Sequence, residues 1–210
     1  MKKVNTITTT ICLLLFSLSV LAEGPDPRYW YFVNGDTPAE WRWVIADPGN
    51  WWQPLEGHSG TSATGKLHLS TSPDQTLPGA VRMIWNKKGN WAGVGISGRT
   101  VDLSPFEHSG KLMIALKVEQ RTSKPVEIKM TCGDDCSGKV NISTYIRKAK
   151  LDEWFALPIP LDCFAQEGVD LSKIDKPFEI GSESRLILHI AEISILPMEE
   201  GEVGCTGSGK

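Results

Sequence analysis

The sequence has little excess charge and lacks the long apolar runs of a membrane protein. Its 22 Lys and Arg residues stand against 25 Asp and Glu residues, which gives a formal net charge of −3. A nucleic-acid binder normally carries a basic surface, so this balance argues against that class of protein. Beyond the N-terminal segment, no apolar run approaches the roughly 18 residues that suggest a membrane span. The composition, with 40% hydrophobic and 22% charged residues, is typical of a globular protein.

The chain also lacks the short motifs of common hydrolases. It contains neither a G-x-S-x-G nucleophile motif nor an H-E-x-x-H zinc motif. Its histidines are scattered, and we expect His189, within a predicted strand, to be a packed residue rather than a catalytic base. Glycoside cleavage needs only two carboxylates about 5 to 10 Å apart. A small glycan-active hydrolase therefore stays as one alternative for the function.

The N-terminus has the three parts of a secretory signal peptide. Lys2 and Lys3 give a positive start, residues 11–21 are mostly apolar, and residues up to Ala22 suit a cleavage site. As a helix the apolar stretch would rise about 16 Å, about half of what a bilayer core requires, which argues against a membrane anchor. We predict a signal peptide over residues 1–22, cleavage near Ala22 and a secreted or periplasmic protein.

Four cysteines follow the predicted signal peptide: Cys132, Cys136, Cys163 and Cys205. In an oxidising compartment an even number suggests two disulfides, for which three pairings exist. Cys132 and Cys136 are close enough in sequence to close a tight loop, which would leave Cys163 and Cys205 to pin the C-terminal tail. A metal site is the competing interpretation, but the spacing is not C-x₂-C and no histidine is near. The pairing stays open.

The segment between Cys132 and Cys136 contains two neighbouring acidic residues, Asp134 and Asp135. Carboxylate oxygens are ligands that Ca²⁺ prefers. A solvated turn is the simpler interpretation, so we predict no cofactor, with a structural calcium ion as the alternative.

Alternation of apolar and polar residues predicts an all-β chain. Residues 111–119 (KLMIALKVE) have the period of a strand with one face on a core. Residues 185–196 shift phase, which suggests a bulge or burial on both faces. Pro158 and Pro160 delete donors from the same side of a strand, which predicts a sheet edge. Roughly nine or ten such strands, separated by Gly, Pro and Asn turns, make a β-sandwich or jelly roll.

Seven of the eight tryptophans fall into two groups. Trp41, Trp43, Trp85 and Trp154 lie on or beside predicted strands, and we assign them to the core. The others of interest lie in polar, Gly-containing loops, over residues 48–54 and 86–93, where an Asn precedes the Trp.

A sugar presents an apolar face of C–H groups and a rim of hydroxyls, so exposed rings in polar loops suit sugar binding. The alternative is a hydrophobic plug over one end of the sandwich. The candidate carbohydrate-binding residues are Trp51, Trp52, Trp91, Asn50, Asn90 and Arg99.

Several motifs, in order, resemble a known family. M-x-C-G-x-x-C and W-x₅-P-L-x-C-F are specific when they occur together. The chain resembles the galactose-binding-like β-sandwich at the C-terminus of some glycoside hydrolase family 3 exo-glucanases and β-glucosidases, the ExoP-type domain. The matching segments are residues 41–47 (WRWVIAD), 80–85 (AVRMIW), 101–104 (VDLS), 128–136 (IKMTCGDDC), 154–164 (WFALPIPLDCF) and 168–171 (GVDL).

The resemblance implies a fold and a link to polysaccharide processing, but not catalysis, because the family's glycosidase activity belongs to other domains. The predicted organisation is a signal peptide (1–22), an aromatic-rich segment (23–40), a sandwich (41–198) and a flexible Gly-rich tail (199–210). We predict a secreted, non-catalytic module that binds a β-glucan-type polysaccharide by Trp stacking. The alternative is a structural or interaction module whose Trp-rich N-terminal segment docks on a partner hydrolase or cell-envelope protein.

Overall fold

The alternation of apolar and polar residues is realised as thirteen strands, accompanied by two short α-helices, in the part of the chain that the structure describes. The computed structural model describes residues 29–87 and 91–205, so the predicted signal peptide, Asn90 and the end of the tail lie outside the described residues. Within these ranges no helix is long and apolar enough to cross a membrane. The elements are β1 (Trp30–Val33), β2 (Trp41–Asp47), β3 (Asn50–Pro54), β4 (Gly60–Thr61), β5 (Leu67–Thr71), β6 (Val81–Trp85), β7 (Ala92–Gly98), β8 (Gly110–Gln120), β9 (Glu127–Thr131), β10 (Ser137–Asn141), α1 (Ser143–Lys148), β11 (Trp154–Pro160), α2 (Leu161–Gln166), β12 (Lys176–Ser182) and β13 (Leu186–Pro197).

The strands form two antiparallel sheets, which confirms the predicted β-sandwich. The first sheet has the order β11-β8-β13-β6-β5-β4, and β1 also pairs with β13. The second sheet has the order β10-β9-β12-β7-β2-β3. Apolar side chains from both sheets form one buried cluster, and polar residues alternate with them on the two outer faces.

Two details of strand placement follow from the sequence as predicted. β11, which carries Pro158 and Pro160, is the edge strand of the first sheet. β13 contains a register shift between Ile190 and Glu192, where the apolar phase changes. The bulge allows one long strand to keep apolar residues in the core on both sides of the shift.

The predicted core tryptophans divide three to one. Trp41, Trp43 and Trp85 are buried, and the indole N–H of Trp85 donates to the Ala92 carbonyl at 2.8 Å. Trp154 corrects the prediction: it is half-buried on the outer face of the first sheet. The alternation pattern placed Trp154 on a strand but did not say which face of the strand it occupies.

The aromatic segment before Trp41 is part of the sandwich. β1 pairs with β13, and Tyr31 and Phe32 are fully buried. Their rings make edge-to-face contacts with Trp41 and Trp43, at centroid distances of 4.8 and 5.1 Å. This burial removes both rings from the docking surface that the interaction-module alternative assumed.

The disulfides join Cys132 to Cys136 and Cys163 to Cys205, which selects one of the three pairings. The second bond tethers the C-terminal tail to α2. Asp162 lies near both sulfurs of this bond, in the one group of potential metal ligands found among the described residues. The sulfurs are bonded to each other, so this group does not offer a thiolate metal site.

Candidate functional site

Trp51 and Trp52 lie on β3, the edge strand of the second sheet, and not in a loop as the sequence predicted. Where β2 has the single residue Ala46, β3 has both tryptophans, so they are the two residues of a β-bulge. Trp51 is 64% exposed and Trp52 is 50% exposed. The bulge explains how neighbouring residues of one strand both serve the outer face.

A buried carboxylate holds the turn that leads into β3. Asp47 accepts hydrogen bonds from the backbone N–H groups of Gly49 (2.8 Å) and Asn50 (3.1 Å), and from the Thr64 hydroxyl (2.6 Å). Burial acts to raise the pKa of Asp47, but the hydrogen bonds from Thr64, Ser62 and Gly49 outweigh it and lower the pKa to about 2. This anchor was not predicted from the sequence, although D-P-G-N is a recognisable turn sequence.

The predicted Asn50 supports the site through the backbone. Its Oδ1 accepts a hydrogen bond from the Trp52 backbone N–H at 3.0 Å. Asn50 therefore shapes the bulge, while Asn90, its predicted counterpart, lies outside the described residues.

Trp91 precedes β7 and lies flat against the second sheet. A Cβ added to Gly93 would come within 2.5 Å of the Trp91 ring, and one added to Gly181 within 2.7 Å of its indole nitrogen. Two glycines on adjacent strands thus make room for the indole. Trp51 stacks on Trp91 with a centroid distance of 5.9 Å and an interplanar angle of 27°. The structure brings Trp51 and Trp91 together as one platform.

A groove runs from this platform across the outer face of the second sheet. Two adjoining cavities of about 300 Å³ each share Trp91, Lys129, Lys139 and Glu179. One extends towards the aromatic end of the face and the other towards the opposite end. Trp51 and Lys176 also line the groove at its aromatic end, and Lys124, Glu127 and Glu183 line it at the other end.

Charged side chains form the floor of the groove. Glu179 is only 8% exposed and pairs through one carboxylate oxygen with Lys176 at 2.9 Å and through the other with Lys129 at 3.8 Å. The Lys176 ammonium also lies 5.7 Å from the centre of the Trp52 ring, a cation–π contact. The polar floor is thus joined directly to the aromatic platform.

Lys66 braces the segments that flank Trp91. It is fully buried, and its ammonium donates to the backbone carbonyls of Asn86 at 2.5 Å and Glu183 at 2.9 Å. Burial lowers the pKa of Lys66, and the nearby charge of Glu183 partly offsets the shift. Sequence offered no signal for this role, because lysines are normally exposed.

Arg99 lies apart from the tryptophans. It follows the last residue of β7, whereas Trp91 precedes the first, and the seven-residue strand between them spans about 20 Å. The Arg99 guanidinium pairs with Glu40 at 3.0 Å. The structure therefore does not bring Arg99 to the groove.

His189 is packed on the outer face of the first sheet, in line with the sequence analysis. Its Nδ1 lies 2.7 Å from the Ser72 hydroxyl and its Nε2 lies 2.9 Å from Glu119, which also pairs with Arg82. The order of groups is that of a Ser-His-acid relay. Ser72 is only 5% exposed and its oxygen already accepts the Asp74 backbone N–H at 3.1 Å, so this row is a structural network.

Comparison with known proteins identifies the family. The galactose-binding domain-like family Exop_C matches residues 39–195. The chain belongs to this family. The match confirms the resemblance carried by the cysteine and tryptophan motifs.

Solved structures with the same fold include a domain of a glucanase. The extra C-terminal domain of the exo-1,3/1,4-β-glucanase ExoP from a Pseudoalteromonas species matches with 17% identity and a TM-score of 0.67, over 86% of this chain and 99% of the domain. The chain spans 23% of the whole ExoP structure, at 19% identity and a TM-score of 0.68, with 89% of this chain covered.

A second group of similar structures consists of binding modules. The family 30 carbohydrate-binding module of the cellulosomal cellulase Cel9D-Cel44B from Clostridium thermocellum matches with 17% identity and a TM-score of 0.57, over 83% of this chain and 98% of the module. At these identities the likeness shows the fold alone. No curated protein matches the chain.

Proposed function

We propose that this chain is a non-catalytic carbohydrate-binding module that binds a β-glucan-type polysaccharide on the outer face of its second sheet. The observation that carries the proposal is the exposure of Trp51 and Trp52 on an edge strand, beside Trp91 and a groove. Neighbouring large aromatic side chains exposed on a packed sandwich mark an interaction surface.

Each indole has a separate role in this proposal. Trp51 presents its open face to a sugar ring, and Trp91 supports it from below through their stacking contact. Trp52 extends the platform along β3, where Lys176 holds its ring. The charged floor beside them supplies donors and acceptors for hydroxyl groups.

The names of two similar structures support the proposed sugar class. One is a domain of an exo-1,3/1,4-β-glucanase and another is a carbohydrate-binding module of a cellulase, and both names point to β-linked glucans. The two disulfides favour an oxidising compartment, which agrees with a secreted or periplasmic protein and its proposed signal peptide. In that compartment the module would act beside a glycoside hydrolase on the same polysaccharide.

The test is retention of the chain on insoluble β-glucan. The double variant Trp51→Ala/Trp52→Ala should lose retention by at least tenfold, because stacking is worth about 1 kcal/mol or more for each ring. Its far-UV circular dichroism should not change, since both side chains are largely exposed. Tyr145→Ala is the matched control: Tyr145 is 51% exposed on α1 and lines neither of the groove cavities.

Retention that survives the double substitution would remove the indoles from the proposal. Failure of the unaltered chain to bind any polysaccharide, together with co-purification of a hydrolase that the double variant loses, would instead favour the protein-interaction alternative.

A further inference from the structure

Two lysines face each other directly on adjacent strands of the groove floor. Lys129 on β9 is paired with Lys139 on β10 in the register of the second sheet. Like charges directly opposite each other destabilise an antiparallel pair. A local arrangement that opposes stability is expected where function requires it.

The neighbouring carboxylates do not cancel this positive charge. Glu127 pairs with Lys139 at 3.2 Å, which balances one lysine. Glu179 is shared between Lys129 and Lys176, so one carboxylate serves two ammonium groups. The aromatic end of the groove floor therefore carries one unbalanced positive charge next to the indoles.

A further positive charge lies at the other end of the groove. Lys124 is exposed, and within residues 29–87 and 91–205 no carboxylate forms an ion pair with it. Glu183 lines the same cavity, but its charge acts on the buried Lys66 ammonium. The groove is thus locally positive on a chain whose formal net charge is −3.

We propose that the groove binds an anionic substituent of the polysaccharide, a carboxylate or a sulfate, between Lys129 and Lys139 and beside the ring stacked on the indoles. This inference rests on the proposed function and names the chemistry that the platform alone does not select. Hydrogen bonds between ammonium and anionic groups are stronger than those between neutral groups. On a protein of negative net charge, a positive groove also directs an acidic chain towards itself.

The test compares two soluble derivatives of one backbone, carboxymethyl cellulose and the neutral hydroxyethyl cellulose, by affinity gel electrophoresis. At low salt we expect roughly fivefold tighter binding of the carboxymethyl form, the effect of one or two exposed ion pairs. The difference should vanish between about 0.01 M and about 1 M NaCl, as the Debye length falls from about 30 Å to about 3 Å. A sulfated β-glucan in a parallel gel distinguishes sulfate from carboxylate as the preferred group.

Variants locate the effect. Lys129→Gln/Lys139→Gln should lower binding of the carboxymethyl form to the level at which the same variant binds the neutral form, because Gln keeps N–H donors for hydroxyl groups but removes the charge. Neutral binding also reports that the variant is folded, and Lys124→Gln, at an exposed position, is the fallback. Lys148→Gln on α1 is the matched control, because it removes the same charge away from the groove.

The outcomes separate the two proposals. Equal binding of both derivatives, at every salt concentration, would overturn the anionic site and leave sugar binding standing. Binding of neither derivative, nor of insoluble glucan, would contradict the proposed function itself. Preference for the carboxymethyl form that persists in the double lysine variant would place the anion elsewhere and overturn the inference.

Discussion

The two outer faces of the sandwich carry the same three kinds of side chain and use them differently. On the second sheet, the Lys176 ammonium lies 5.7 Å from the centre of the Trp52 ring and 2.9 Å from a Glu179 oxygen. Half of the Trp52 surface remains exposed. This Trp-Lys-carboxylate cluster leaves its aromatic ring open to solvent.

On the first sheet, a cluster of the same three residue types is covered by a neighbouring segment. The Lys117 ammonium lies 5.3 Å from the centre of the Trp154 ring and 2.5 Å from an Asp74 oxygen. The indole N–H of Trp154 donates to that oxygen at 2.9 Å, and Ser72 bonds to His189 beside it. The segment after β5, which carries Ser72 and Asp74, is therefore held against the outer face of the first sheet by these contacts.

Residue type alone therefore does not decide whether a tryptophan stays open to solvent. The exposure of a tryptophan depends on whether a neighbouring segment accepts a hydrogen bond from the indole N–H and covers the ring. Asp74 does this for Trp154 from a distant part of the chain. Asp47 does the opposite for Trp52, because it fixes a tight turn that keeps β3 at the open edge of the sheet.

The largest expected effects, on stability and on glucan binding, come from replacing Trp154 on the first sheet and Trp52 on the second sheet, one at a time. Trp154→Ala should lower the free energy of unfolding by about 2 kcal/mol, below the cost of a fully buried ring because Trp154 is only half-buried. It should leave glucan binding unchanged. Trp52→Ala should change stability by less than about 0.5 kcal/mol and weaken binding several-fold. Urea denaturation and affinity electrophoresis measure the two effects, and loss of binding in Trp154→Ala would erase the distinction between the faces.

The closed face should also be the more sensitive to acid. Hydrogen bonds from Arg82, and then from His189, outweigh burial and lower the pKa of Glu119 to about 2, from an ordinary value near 4.5. Because the folded-state pKa is the lower one, Glu119 stabilises the fold above about pH 4.5, and this contribution is lost as the pH falls towards about 2. Burial lowers the pKa of His189, so its contribution declines as the pH falls below about 6.5.

Urea denaturation from about pH 7 to about pH 3 tests this expectation. Glu119→Gln should flatten the loss of stability below about pH 4.5, while Glu153→Gln, at an exposed position, should not. A residual slope is expected in Glu119→Gln because Asp47 titrates over the same range. Identical slopes for the wild type and Glu119→Gln would contradict the role given to this network.

Local patterns in the sequence predicted much of this fold. Alternation predicted the strands, the two prolines predicted the edge position of β11, and the phase shift predicted the bulge in β13. Each of these properties depends on side chains within one segment. The exposure of Trp51 and Trp52 was predictable for the same reason, because they follow a polar turn sequence.

Contacts between distant segments were not predictable. Trp154 meets Asp74 across 80 residues of sequence, and Lys66 meets Glu183 across 117. No periodicity within one strand reports which loop will cross its outer face, so Trp154 was assigned to the core. The bulge at Trp51 and Trp52 was missed as well, because it is a property of the pairing with β2.

The smallest expected effect separates support of the open face from contact with a ligand. Asn50→Ala removes the oxygen that accepts the Trp52 backbone N–H, a bond exposed to solvent. An exposed hydrogen bond contributes about 0.5 kcal/mol, so glucan binding should weaken about twofold through a looser bulge. Asn50→Asp keeps an acceptor at the same place and should bind as the unaltered chain does.

Isothermal titration with a soluble β-glucan measures the difference. Arg99→Ala, about 20 Å away at the far end of β7, should show none. A tenfold loss in Asn50→Ala that Asn50→Asp fails to restore would mean that the amide contacts the sugar directly, and that the open face recognises its ligand with more than the indoles and lysines assigned to it.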